Sequence, residues 1–440
     1  MRQRTTALCA GLTALSLAAP AAADFGRPFT VAGSAEQFPN GFSGVVNPSG
    51  TTAFAWTHRK TVRFRIRSAG GDLGDALKVS TSGRVPYVPQ VALDRDGNAI
   101  VAWHEQTGKS SFAVYAAVRP RGGRFGAPQR VGPSFFSSDF ADDNYPLVSF
   151  DARGNALIAW RYPQTYVGVA WAAPGRRFGT PQRLLALTPR SITFRHDGRA
   201  ALLSVRLRGR IVEATARPRG PFTVAGDPFQ LPLTDRGMAD VDARQAPDSA
   251  GLAVWREGYA GDPGVGPDAG PVHAATRRPG GAFGPDQVLS EAQSCGAATT
   301  NDALRATGAI TTRGEALVTW MQCVGDPQSS SPDHLFARRW SPAGGAWDPV
   351  VGLGSREFLG GPATVAADSG GDLAVGWLAD ARHVAVMGML PAGEFTPVRR
   401  LRTSGDARRT GPRVAADGHR AVVVWGSGDG YQASVGSVAP

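Results

Sequence analysis

The chain repeats itself, and a repeat limits the folds open to it more than any other feature does. The stretch Pro89 to Val131 reads PQVALDRDGNAIVAWHEQTGKSSFAVYAAVRPRGGRFGAPQRV. It holds a short apolar run, an Asp-Gly-Asn turn, a run ending in Trp103, a loop, a third alternating run, a Pro/Gly turn and a last extended piece. That is the pattern of four antiparallel strands in a row. The same unit returns with Trp56, Trp103, Trp160, Trp255, Trp320, Trp377 and Trp425 as anchors, and once with Ser204 in the Trp position. There are therefore eight copies.

Six residues before the anchor stands Gly50, Gly97, Gly154, Gly198, Gly314 or Gly371, with Ser249 and His419 in the remaining two copies. A tight turn needs a residue at positive φ there, and glycine meets that need at least cost. Asp96, Asp197, Asp248 and Asp417 can bond the amides of their own turns. Asp94 and Asp96 together suggest a calcium loop, but most copies lack the second carboxylate, so a turn role is expected.

The second runs (AIVAW, ALIAW, LAVW, ALVTW, LAVGW, AVVVW) are apolar at nearly every position, as strands covered on both faces are. The fourth unit carries a Phe-Gly-x-Pro signature, as in Phe125-Gly126-Ala127-Pro128-Gln129 and Phe178-Gly179-Thr180-Pro181-Gln182. Proline belongs at a sheet edge. Buried inner strands and an exposed outer strand make the blade of a β-propeller. The expected fold is all-β, an eight-bladed β-propeller of four-stranded antiparallel blades. The last copy stops after its third strand, and Asp24 to Val31 is an orphan fourth strand. The N-terminal strand is expected to complete the last blade and close the ring.

The chain begins MRQRTTALCAGLTALSLAAPAAADFG, with Arg2 and Arg4 before an apolar core and an A-x-A site at residues 21–23. Residues 1–23 read as a secretory signal peptide and residues 24–440 as the propeller domain. The protein is expected to be exported, either secreted or held at the cell envelope, with no membrane span. Without Arg2 and Arg4 it carries 45 basic and 36 acidic residues, the excess being arginine scattered through every repeat. With no dense basic run, no nucleic-acid partner is expected. Cys295 and Cys323 are the two cysteines left after processing, and export favours a disulfide between them. It would stabilise the fold by about 3.5 kcal/mol in the chain-entropy account.

All the long insertions fall on one face of such a ring: the link ending at Pro146, Arg256 to Pro271, Ser290 to Asp302, and Met321 to Asp333. Loops displayed on a rigid scaffold are where binding concentrates. Two residues past the anchor stand His58, Glu105, Tyr162, Arg206, Glu257 and Gln322. They read as a polar ring near the mouth of the central channel, or as strand ends meeting water. Asp139, Asp142 and Asp143 with Tyr145 form the densest acidic and aromatic cluster, fit for a cation or a sugar, or for a solvated loop.

Glycosidase carboxylates stand roughly 5 to 9.5 Å apart. Glu105 and Glu257, three blades apart in a ring of strands spaced about 4.8 Å, are expected roughly 20 Å from one another. They cannot work as a pair. No G-x-S-x-G elbow or H-E-x-x-H helix occurs, and no histidine pairs with cysteine at metal-ligand spacing. No cofactor and no metal site are expected.

Asp94-Arg95-Asp96-Gly97 with Trp103 resembles the sialidase Asp-box, although the Trp follows Gly by six residues. Phe64-Arg65-Ile66-Arg67 is similar to the sialidase F-R-I-P. Pro89 to Trp103, of the form P-x-V-A-x-D-x-x-G-N-A-x-V-A-W, resembles repeats of secreted bacterial propellers grouped with sialidase-like, BNR-type proteins. The resemblance implies the fold and carries over no catalytic residue. The expected function is non-catalytic binding of a glycan, or of an extracellular or envelope protein, by a monomer through the long-loop face. The alternative is a glycan-active hydrolase or lyase with its site at the channel mouth.

Overall fold

The computed structural model describes residues 24–33, 41–80, 82–136, 145–163, 166–186, 188–206, 209–232, 238–258, 268–291, 293–294, 306–322, 334–355, 363–368, 370–390, 393–406, 411–428 and 430–438. The proposed signal peptide, Asp139, Asp142, Asp143, Cys295 and Cys323 lie outside them. The described elements are all strands, and they form eight antiparallel sheets. No helix among the described residues is long and apolar enough to cross a membrane.

Each sheet is one repeat. The inner strands are Phe42–Val46, Pro86–Leu93, Leu147–Phe150, Thr188–Phe194, Met238–Gln245, Ala306–Ile310, Thr364–Ala367 and Arg413–Asp417, of blades one to eight. Each packs against the next, and that of blade eight packs against that of blade one. The ring is closed, an eight-bladed β-propeller.

Its apolar core is divided among the gaps. One buried cluster fills each gap between neighbouring blades. In every gap but one, the anchor Trp of the later blade leans back against the earlier one. Trp160 shows how room is made for it: a Cβ on Gly132 of blade two would lie 2.7 Å from the indole, and one on Gly168 of blade three 2.5 Å. In the gap that lacks the anchor, Ser204 is buried and Trp171 supplies the aromatic volume from the other side, 6.1 Å from Phe222.

The turns follow the glycine argument. All eight positions six residues before the anchor have φ between 63° and 97°, Ser249 and His419 included. In blades two and three the turn is locked by an Asp-Asn pair. Asp94 accepts from the Asn98 backbone N–H (2.8 Å) and side-chain amide (2.6 Å), and Asp151 accepts from Asn155 in the same way. The carboxylates are spent on the turn, as expected.

The last residue of the Phe-Gly-x-Pro-Gln signature also has a job. The Gln129 side chain donates to the Phe178 carbonyl and accepts the Phe178 N–H, both at 2.8 Å. Gln182 does the same to Phe222 at 2.7 Å. Each Gln thus mimics a backbone group and staples its outer strand to the next blade.

The N-terminal residues complete blade eight. Asp24 and Phe25 pair with Ser437 and Gly436, and Phe29–Gly33 runs antiparallel to Gly430–Ala433. Phe25 and Val31 are buried, and Ser434 donates to the Gly26 carbonyl at 2.7 Å across 408 residues of chain. One insertion differs from the sequence reading. In Arg256 to Pro271 the hairpin arms extend past the anchor, pairing Gly258 with Ala269, and Gln293–Ser294 then joins the same sheet. Part of that loop is strand because each added pair satisfies backbone groups.

Candidate functional site at the channel mouth

The inner strands start at the face that receives the blade-to-blade links, so the residues at their beginnings surround the loop-side mouth of the channel. Tyr145 lies in the link just before the inner strand of blade three. The guanidinium of Arg413, the first residue of blade eight's inner strand, lies 5.8 Å from its ring centroid and 5.5 Å from that of Phe42 in blade one. The Tyr145 side chain lies close enough to that of Arg244 of blade five to interact with it. A side chain that meets arginines from blades five and eight lies within the opening that the inner strands enclose.

Arg244 is held in turn. Its Nε is 3.1 Å from Asp242 Oδ1, and its Nη1 donates to the Arg190 carbonyl of blade four at 3.4 Å. Asp242 also accepts from the Thr307 hydroxyl of blade six at 3.0 Å. Burial disfavours the charged guanidinium, but the Asp242 carboxylate and Tyr145 outweigh it and hold the Arg244 pKa above the usual arginine value. The mouth thus sets the Tyr145 ring of blade three beside fixed polar and charged groups drawn from blades five, six and eight.

The six residues two past the anchor sit on second strands, one strand out from the axis. Glu105 is 1% exposed and accepts from the Trp103 indole N–H at 3.2 Å. Gln322 accepts from the Trp320 indole at 3.0 Å. Tyr162 is largely buried, its ring 6.4 Å from Trp160 and 4.6 Å from the Arg183 guanidinium. Arg206 donates through Nε to the Leu185 carbonyl of blade three. His58 has its pKa lowered by burial and then by Arg63 and Arg59 of its own hairpin. Residues i and i+2 of a strand share a face, so these side chains stay beside their anchors, in the gaps between blades. Of the described candidates named from the sequence, Tyr145 is the one that the fold carries to the mouth.

Glu257 is part of a row on blade five. Its Oε1 lies 3.3 Å from His273 Nε2, and His273 Nδ1 lies 2.9 Å from Asp286 Oδ1. The imidazole is buried and stacked 5.4 Å from the Trp255 ring. The row braces Glu257 through a buried histidine.

Reading the sequence alone misses Arg244, Asp242, Thr307 and Arg413. Asp242, Thr307 and Arg413 pair with the residue before the anchor, as Ser43 and Gln90 do, and Arg244 stands two residues further on, where other copies carry Val45 or Ala92. Charge at a register that is otherwise small or neutral is the signal that could find them.

No protein-family model matches the chain, and no curated protein matches its sequence. Among solved structures, the BP39L lectin of Burkholderia pseudomallei is similar at 13% identity, with a TM-score of 0.55 over 84% of this chain and 99% of that one. An ulvan lyase of a polysaccharide-lyase family aligns over 95% of both chains at 12% identity and a TM-score of 0.45. A lectin of Aleuria aurantia aligns over 71% of this chain and 95% of its own, at 12% identity and a TM-score of 0.37. At such identities the likeness is one of fold, and the first of these comparisons places the chain among structures built as β-propellers.

Proposed function

We propose that this protein is an exported propeller that binds a saccharide at the loop-side mouth of its channel. The observation that carries the reading is Tyr145 held between Arg413 and Arg244. Saccharides offer an apolar face of C–H groups, which packs on aromatic rings, and hydroxyls, which suit planar paired groups such as carboxylate and guanidinium. Ligand sites commonly combine an aromatic lining with a few placed polar groups. Binding is favoured over cleavage because Glu105 and Glu257 are engaged with Trp103 and His273. The repeats' resemblance to those of secreted bacterial, sialidase-like propellers is consistent with a glycan ligand and an extracellular setting.

A glycan array probed with the full chain, followed by titration of the best hit, tests the proposal. Tyr145→Ala and Arg413→Ala are each expected to weaken binding at least tenfold while leaving the circular dichroism spectrum unchanged. Unaltered affinity in both would move the site away from the mouth. Capture of no glycan, or release of unsaturated or hydrolysed products from a polysaccharide, would overturn the proposal in favour of a protein ligand or of catalysis.

A further inference from the structure

The turn of blade seven departs from its counterparts. Where blades two and three place Asn98 and Asn155 against Asp94 and Asp151, blade seven places Asp372 against Asp368. An amide that donates has become a second carboxylate that cannot. Both carboxylate side chains are 0% exposed. Two adjacent buried carboxyl groups need a shared proton or a compensating cation.

His419 of blade eight reaches across the gap to meet them. It occupies the glycine position of its own turn at φ 63°. Its Nδ1 lies 2.6 Å from Asp372 Oδ2 and 3.7 Å from Asp368 Oδ2, and its backbone N–H donates to Asp368. The side chain is 59% exposed, which leaves the cluster open to solvent on that side. One atom from each of Asp368, Asp372 and His419 falls within a set spanning no more than 4.8 Å.

A second observation points the same way. Asp372 Oδ1 is buried and has no hydrogen-bond partner among the described residues. None of the described ion pairs or hydrogen bonds joins the Arg313 guanidinium of blade six to either carboxylate. A proton on His419 supplies one positive charge against two negative ones. A divalent cation supplies two, leaves the imidazole neutral as a ligand, and gives the unpartnered oxygen something to bind.

We propose that Asp368, Asp372 and His419 form a divalent-cation site that clamps blade seven to blade eight. An imidazole with two carboxylates suits a Zn²⁺-like ion better than Ca²⁺ or Mg²⁺, which prefer oxygen ligands alone. Three protein ligands leave further coordination positions to water. The spacing in sequence hid the site, because His419 stands 47 residues beyond Asp372.

The test is calorimetric titration of Zn²⁺ into the tag-free, chelator-stripped full chain, beside Asp372→Asn and His419→Gly. Both substitutions restore what other blades carry at those positions, so both chains are expected to fold. The wild type is expected to bind one more equivalent than either variant, with each variant weaker by at least about a hundredfold at that site. Its melting temperature should rise with Zn²⁺ while those of the variants stay put. Absence of binding by the wild type, or retention of the site in either variant, would overturn the proposal.

Discussion

Blade two and blade eight are built to the same plan by different routes. Blade two takes all four strands from residues 86–134 in one continuous run. Blade eight takes three from residues 413–437 and the fourth from residues 24–33. At the turn, blade two spends its Asp94 carboxylate on its own Asn98, while the Asp94 carbonyl accepts from Asn47 of blade one. Blade eight uses the glycine position of its turn, as His419, to hold its neighbour through a carboxylate. A contiguous blade needs only local closure. The split blade holds the two ends of the described chain together, and its entropic cost is that of a long loop closing, which grows slowly with length. The seam is therefore where whole-ring stability is decided.

Deleting residues 24–33 should break this comparison most severely. Blade eight would be left with the edge at 430–437 unpaired and Phe25 and Val31 missing from their gaps. A single cooperative melt and a monodisperse elution profile are both expected to be lost. Moving the same residues, through a Gly-Ser linker, to follow Val438 in a chain that starts near Gly41 should restore both. A deletion protein that melts like the wild type would show that the seam carries no load.

Trp160 and Trp425 test whether the two kinds of gap are packed alike, since both are fully buried. Truncating either to Ala should cost about 3–5 kcal/mol in denaturant unfolding. A much smaller loss at Trp425 would mean that the seam gap is the looser one.

Gln182→Ala removes both bonds to Phe222 and leaves backbone groups unpaired at an edge between contiguous blades. About 1–3 kcal/mol is expected, measured in the same way. Gln182→Glu should lose the donated bond alone and fall between the wild type and the Ala variant. Equal losses in the two variants would argue against the two-bond staple.

The smallest effect is expected at Ser249, which holds φ 76° in a position that six other copies give to glycine. Ser249→Gly should raise stability by about 0.5–1 kcal/mol by relieving left-handed backbone strain. A loss of stability would show that the Ser249 side chain contributes something the turn geometry does not reveal.

Much of the fold was legible in the residues. The eight anchors, the positive-φ turn position and the orphan strand at Asp24 to Val31 all correspond to features of the ring. Each rests on a property of a short stretch: an apolar run, a turn that tolerates glycine, an unpaired edge. The function of Gln129 and Gln182 was not legible, although both stand in the quoted signature, because the groups they bond belong to the next blade. The residues two past the anchor read, in sequence, as a ring around the channel. Position along a strand is visible in sequence, but the second strand stands one place out from the axis, and its side chains turn into the gaps. Tyr145 was visible as an aromatic in an insertion, while its partners Arg244 and Arg413 lie far along the chain on strands that look ordinary.

By itself, then, the order of residues determined the repeat, the number of blades, the conformation of the turns and the way the circle closes. These follow from backbone sterics and the periodic burial of apolar side chains, which act over a few residues at a time. Only the tertiary structure decided which polar groups meet. Arg413 reaches Tyr145 because the ring turns the inner strands of distant blades toward one channel, and His419 reaches Asp368 and Asp372 because neighbouring blades stack within a side chain's length. Electrostatic and hydrogen-bonding contacts depend on distance in space, and no local pattern encodes it.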